Sequence, residues 1–213
     1  MVNKRSRLLF LGDSVTDCDR DRSIRQPNRP EALGNGWVNS VATQWLSQQP
    51  QAQVWNRGYS GCKTGELLDQ EGWQPIKQGG FDVITVLIGI NDIWHPFEEG
   101  HTHRIVANLA DYQALIERLK PLTRHLLLVE PFAIPGSAVT KAWWPLLAEL
   151  QDGQRSLALR NGVMWMPVQN DFETDSATHP MLFAYDGVHP GVLGHQWLAQ
   201  RCLDTVSQVG TPV

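Results

Sequence analysis

The sequence predicts an α/β protein of the doubly wound class, a parallel sheet covered by helices on both faces. Three observations predict it. Five runs have strand length, and those at Leu8–Leu11 and Phe81–Ile88 are almost continuously apolar, as strands buried on both faces are. Stretches with apolar residues at three- and four-residue spacing alternate with these runs. Several runs empty into glycine and polar residues, at the strand ends where open α/β sheets carry their ligands.

A chain of 213 residues suits one domain spanning 1–213 with a sizeable core, and no Ser/Gly-rich linker, repeat or low-complexity tract divides it. Lys and Arg total 18 against 22 Asp and Glu, a net charge of -4, and no basic stripe is interleaved with aromatics. Nucleic acid is therefore not an expected partner. The apolar run behind the basic start, Leu8 to Leu11, is shorter than a signal-peptide core, and nothing approaches a membrane span. The expectation is a soluble, cytoplasmic protein with no membrane partner. Cys18, Cys62 and Cys202 lie far apart without a Cys-x-x-Cys pair, which indicates neither a disulfide framework nor a zinc site.

The first strand, Leu8–Leu11, ends in Gly12-Asp13-Ser14. Two readings of this tripeptide are open: Ser14 is a nucleophile presented at a strand end, or Asp13-Ser14 caps the segment that follows. The stretch from Asp17 to Asn35 is polar, contains Pro27 and Pro30, and reads as a loop beside the site. Trp37, Val38, Val41, Ala42, Trp45 and Leu46 then mark an amphipathic helix.

Gln53–Asn56 is the second strand, opening into a turn that contains Gly58, Ser60 and Gly61. Gly58 either brings a backbone N–H close to a ligand or serves the turn alone. Ser60 lacks the glycine pattern of a strained nucleophile elbow and is read as a turn residue. The third strand, Phe81–Ile88, ends in Gly89-Ile90-Asn91-Asp92 and supplies the Asn91 amide as a donor. His95, His101 and His103 follow in what reads as a polar loop with no matching metal-ligand set.

Ile105–Leu119 is helical by spacing and stopped at Pro121. Arg124–Val129 is the fourth strand, Ala142–Asn161 a long helix ended by Asn161-Gly162, and Val163–Met166 the fifth strand. Asp186 and His189 stand three apart in a loop with Gly187 and Pro190, before a closing helix that carries Leu193, Trp197, Leu198 and Leu203. Their side chains either meet as an acid–base pair or serve turn chemistry.

Hydrolysis of a carbonyl compound by a serine needs a nucleophile, a base, an acid that orients the base, and donors for the developing oxyanion. The chain contains each, in Gly12-Asp13-Ser14-x-Thr16, Asn56-x-Gly58-x-Ser60-Gly61, Gly89-x-Asn91-Asp92 and Asp186-x-x-His189-Pro190. In that order these match the four blocks of the SGNH (GDSL) hydrolases, and the chain resembles that family from about Leu8 to the closing helix. The resemblance implies a three-layer α/β/α, flavodoxin-like fold with a five-stranded parallel sheet, and a serine esterase that uses no metal or other cofactor. It implies Ser14 as nucleophile, His189 as general base and then acid, and Asp186 as the carboxylate that orients His189. The oxyanion hole it implies is Ser14 N–H, Gly58 N–H and the Asn91 side chain.

A narrower resemblance is carried by Leu8 to Cys18, Ala32–Gly36, Ile88–Trp94 and Ala184–Pro190. These stretches are similar to the intracellular bacterial acetylxylan esterases, which implies an acetylated xylo-oligosaccharide or other short acyl ester as substrate and a homo-oligomer. That branch carries a Trp where this chain has Tyr185. Asp13, Trp94 and Tyr185 are assigned to substrate binding, Trp94 and Tyr185 as aromatic faces for a sugar ring. Trp37, Trp45, Trp165 and Trp197 are assigned to the core or an interface on periodicity. The alternative function within the family is a lysophospholipase or acyl-thioesterase acting on longer chains.

Overall fold

The computed structural model describes residues 6–69 and 79–207. Five strands, β1 (Arg7–Gly12), β2 (Gln53–Gly58), β3 (Phe81–Leu87), β4 (Thr123–Val129) and β5 (Met164–Met166), form one all-parallel sheet in the order β2-β1-β3-β4-β5. The order reverses between β1 and β3, so the crevice at their carboxyl ends is the place where such sheets bind ligands. Ser14 follows β1 and Asn91 follows β3, on the two lips of that crevice.

The period-two alternation within each strand decides which layer it packs against. Leu8 and Phe10 of β1 face a cluster with α3 (Trp37–Gln48) and α9 (Val192–Ser207), which includes Trp37, Val41, Leu198 and Cys202. Leu9 and Leu11 point the other way, into a cluster with Tyr112, Leu115 and Leu119 of α5 (Ile105–Leu119) and Leu157 of α6 (Trp143–Asn161). All of β3 is buried, which explains its unbroken apolar character. Trp37 and Trp45 are buried, and Trp165 and Trp197 pack against the two clusters.

Two expectations about irregular segments change. Within the expected loop at 17–35, Pro30–Leu33 forms one helical turn, α2, with proline at its start. Asn28 of that segment substitutes for a neighbouring strand: its backbone N–H donates to Val54 O at 3.0 Å, its amide donates to Ala52 O at 2.8 Å, and its Oδ1 accepts from Val54 N–H at 2.8 Å. The free edge of β2 is thereby paired at Val54, near its start. The polar stretch that contains His95 is a helix, α4 (Asn91–Glu99), despite Pro96 inside it. Packing outweighs the lost hydrogen bond: Ile93 is fully buried, and Phe97 stacks on Trp143 with centroids 5.8 Å apart. Among the described residues the remaining α-helices are the short α1 (Ser14–Asp17), α7 (Gln169–Ser176) and α8 (Pro180–Ala184), and 3-10 turns run over Thr64–Asp69 and Lys120–Leu122. No helix among the described residues is long and apolar enough to cross a membrane.

Candidate active site

The turn that presents Ser14 is built by its neighbours. Gly12 lies so close to β3 that a Cβ there would stand 2.3 Å from Leu87 O. Asp13 caps α1, its Oδ1 accepting from Val15 N–H at 3.0 Å, and Cys18, in the left-handed region at φ 45°, closes it with an N–H bond to Ser14 O at 3.0 Å. Asp13 is therefore the cap, and the Ser14 hydroxyl takes no part in it. The assignment of Asp13 to substrate binding is corrected by the same geometry, because its side chain is buried behind the turn with 1% exposure. Burial pushes its pKa up to about 7, against the opposing effects of the Val15 N–H and His189.

Two more buried groups anchor this turn. Trp37 Nε1 donates to Val15 O at 3.0 Å, and the ring sits edge-on to Phe10. Asn56, with no exposure, donates through Nδ2 to Thr16 O at 2.6 Å and Leu33 O at 2.8 Å. Asn56 stands in a motif the sequence displays, but its positioning role is visible only once its amide can be followed to those carbonyls.

Ser14 Oγ lies 2.8 Å from His189 Nε2, and His189 Nδ1 lies 2.6 Å from Asp186 Oδ2. The other carboxylate oxygen, Oδ1, accepts from the Val188 and His189 amides, each at 2.8 Å. Burial raises the Asp186 pKa, but the hydrogen bonds from the His189 ring and the two amides outweigh it and hold the carboxyl down at about 2. A carboxylate that stays ionised keeps the proton on His189 Nδ1, which leaves Nε2 as the acceptor for the Ser14 hydroxyl. The Asp186 hydrogen bond also lifts the His189 pKa above its ordinary 6.5, against the effect of burial.

The donor assigned to Gly58 is corrected. Its N–H donates to Asn56 Oδ1 at 2.8 Å, and a Cβ on it would lie 2.4 Å from Asp17 N, so it packs behind α1 and cannot reach an oxyanion. Later in the same turn, the Gly61 N–H has no acceptor among the described residues, and neither has the Ser14 N–H. Asn91 is buried and donates through Nδ2 to Cys62 O at 3.0 Å, which fixes the amide and leaves its second N–H free. Gly61 lies in the same Asn56-x-Gly58-x-Ser60-Gly61 stretch, and it is the turn of the Asn56 side chain that takes up the Gly58 amide.

Trp94 is half-buried, its ring 5.5 Å from the His189 ring and 5.6 Å from Trp143. Tyr185 is 65% exposed and does not line the cleft at Ser14. No group of three or more potential metal ligands occurs among the described residues.

The family described as GDSL-like lipase/acylhydrolase matches residues 10–197. The chain belongs to that family. It is 30% identical over 212 residues to an acetylxylan esterase of Geobacillus stearothermophilus, covering 95% of this chain and 94% of the relative. Among solved structures, a Parabacteroides merdae protein described as a GDSL-like lipase superposes with a TM-score of 0.87 at 33% identity, covering 96% of each chain. The Geobacillus stearothermophilus acetylxylan esterase Axe2 does so with a TM-score of 0.80 at 27% identity, covering 94% of each. The five-stranded parallel sheet with flanking helices is the fold these GDSL hydrolases share, and family membership makes the chain an esterase-type hydrolase.

Proposed function

We propose that the protein is a serine esterase that removes acetyl groups from carbohydrate esters, with xylo-oligosaccharides as the substrate class. The observation that carries the mechanism is the unbroken chain from Ser14 Oγ through His189 to Asp186, at 2.8 and 2.6 Å. The relative at 30% identity, an acetylxylan esterase, supports the substrate class.

In this mechanism Ser14 Oγ attacks the ester carbonyl carbon as its proton passes to His189 Nε2. The carbonyl electron pair moves onto oxygen, where the N–H groups of Ser14 and Gly61 and the Asn91 amide receive it. Collapse breaks the bond to the alcohol oxygen, which takes the proton from His189. Water then attacks the acetyl-serine, giving its proton to His189, and the Ser14 oxygen recovers that proton as acetate leaves. Asp186 stays charged throughout and steadies the imidazolium in both steps.

The test is acetate release from acetylated xylo-oligosaccharides, compared with cleavage of an octanoyl ester, with Ser14→Ala as the blank. Strong acetate release with little octanoate cleavage is expected. Preference for the octanoyl ester would move the substrate to lipids or thioesters while keeping the three residues in place, and a Ser14→Ala protein with wild-type turnover would remove Ser14 from the mechanism.

A further inference from the structure

A cleft of about 310 Å³ opens directly from Ser14 and His189 and runs along Cys18, Asp19, Asn35 and Ser60. His189 lines it, whereas Gly61 and Asn91 do not, so it adjoins the side of the nucleophile that meets the base. The leaving oxygen has to sit within reach of the proton on His189 Nε2. The cleft adjoins that position, so it can take the alcohol half of the ester.

Three polar side chains in this cleft are exposed, and none has a hydrogen-bond or ion-pair partner among the described residues: the Asp19 carboxylate, the Asn35 amide and the Ser60 hydroxyl. Their neighbour Asp17 is already committed, its carboxylate accepting from Arg22, from Ser60 N–H at 2.9 Å and from Arg20 N–H at 3.2 Å. The backbones that carry the three free groups are held in place. Asp19 stands in the left-handed region at φ 58°, directly after Cys18 at φ 45°. Asn35 N–H donates to Cys18 O at 2.8 Å, tying the two sides of the cleft together. Gly34 before it has no space for a Cβ, which would meet Asp17 O at 2.5 Å. Two non-glycine residues in a sparsely populated backbone region, cross-tied to a third, form a rigid rim that presents unused donors and acceptors beside the reacting serine.

We propose that Asp19, Asn35 and Ser60 bind the hydroxyl groups of the alcohol half and select polyhydroxylated alcohols over apolar ones. The inference rests on the carbohydrate-ester reading and adds the residues that would enforce it. An apolar alcohol leaves these groups hydrated and gains nothing from them; a sugar replaces that water with hydrogen bonds of fixed geometry.

The experiment measures kcat/KM on an acetylated xylo-oligosaccharide and on p-nitrophenyl acetate, which share the acetyl group and differ in the alcohol. Asn35→Ala is expected to lower the value for the sugar ester about 2- to 13-fold through KM, the range for loss of one neutral hydrogen bond. Asp19→Gly, a residue that accepts the same φ, is expected to lower it about 10- to 150-fold. Both variants should hydrolyse p-nitrophenyl acetate within about twofold of wild type. Equal losses on both esters, or unchanged activity on the sugar ester, would overturn the assignment. Should the wild type cleave p-nitrophenyl acetate but release nothing from the oligosaccharide, the carbohydrate reading has failed by itself. Glycerol monoacetate against ethyl acetate then decides the cleft, with losses confined to the glycerol ester supporting it and any other pattern rejecting it.

Discussion

Replacing Asp186 with asparagine isolates what the carboxylate does for His189. The two backbone amides of Val188 and His189 both bond to Oδ1, at 2.8 Å, and an asparagine oxygen can keep both. The atom facing His189 Nδ1, now Oδ2 at 2.6 Å, becomes an NH2 that only donates. The imidazole has to offer Nδ1 as acceptor, which moves its proton to Nε2, against Ser14. The nucleophile then has no base. Such a tautomer reversal in a serine protease triad lowers kcat about 10⁴-fold, or about 5.4 kcal/mol of barrier at about 1.36 kcal/mol per tenfold. We expect that size of loss for Asp186→Asn, in kcat and not in KM, with a melting temperature within a few degrees of wild type because the loop keeps its amide bonds. Saturating initial rates on p-nitrophenyl acetate, paired with thermal melts, provide the assay. A folded variant that retains more than a tenth of the wild-type kcat would show that Asp186 does not set the state of His189.

The Asn91 amide has one N–H engaged with Cys62 O at 3.0 Å and one free, so Asn91→Ala should cost about 10²- to 10³-fold in kcat, and a loss expressed only in KM would assign it to ground-state binding instead. The pH profile follows from His189, whose pKa is raised above 6.5 mainly by the Asp186 hydrogen bond: the neutral form is the base, so kcat/KM should fall as pH drops, with a midpoint above 6.5. Asp13, itself lifted to about 7 by burial, adds to that rise only through its ionised fraction, so Asp13→Asn, which keeps an oxygen for the Val15 N–H, should move the midpoint slightly to lower pH, and a shift upward would contradict the electrostatic account.

Much of the architecture could be read from the chain because it rests on local patterns. Leu8 to Leu11 and Phe81 to Ile88 read as strands because strands covered on both faces have no polar side. The helix at Ile105–Leu119 was legible to the residue because its buried positions Ile105, Tyr112, Ile116 and Leu119 recur at helical spacing. The segment at His95 was not, since a proline and scattered polar residues obscure a helix whose stability comes from contact with Trp143, more than forty residues away in the chain.

By itself, the sequence determined the α/β alternation, the placement of Ser14 and Asn91 after strands, and the family blocks that contain Ser14, Asp186 and His189. Each of these is written in spacing or in residue type, which the chain carries before it folds. Only the tertiary structure decided that β1 and β3 are neighbours, that His189 meets Ser14 across 175 positions of sequence, and that Gly61 rather than Gly58 has a free N–H. The physical reason is that a hydrogen-bond donor is available only after every nearer acceptor has been accounted for, and those acceptors are brought together by folding.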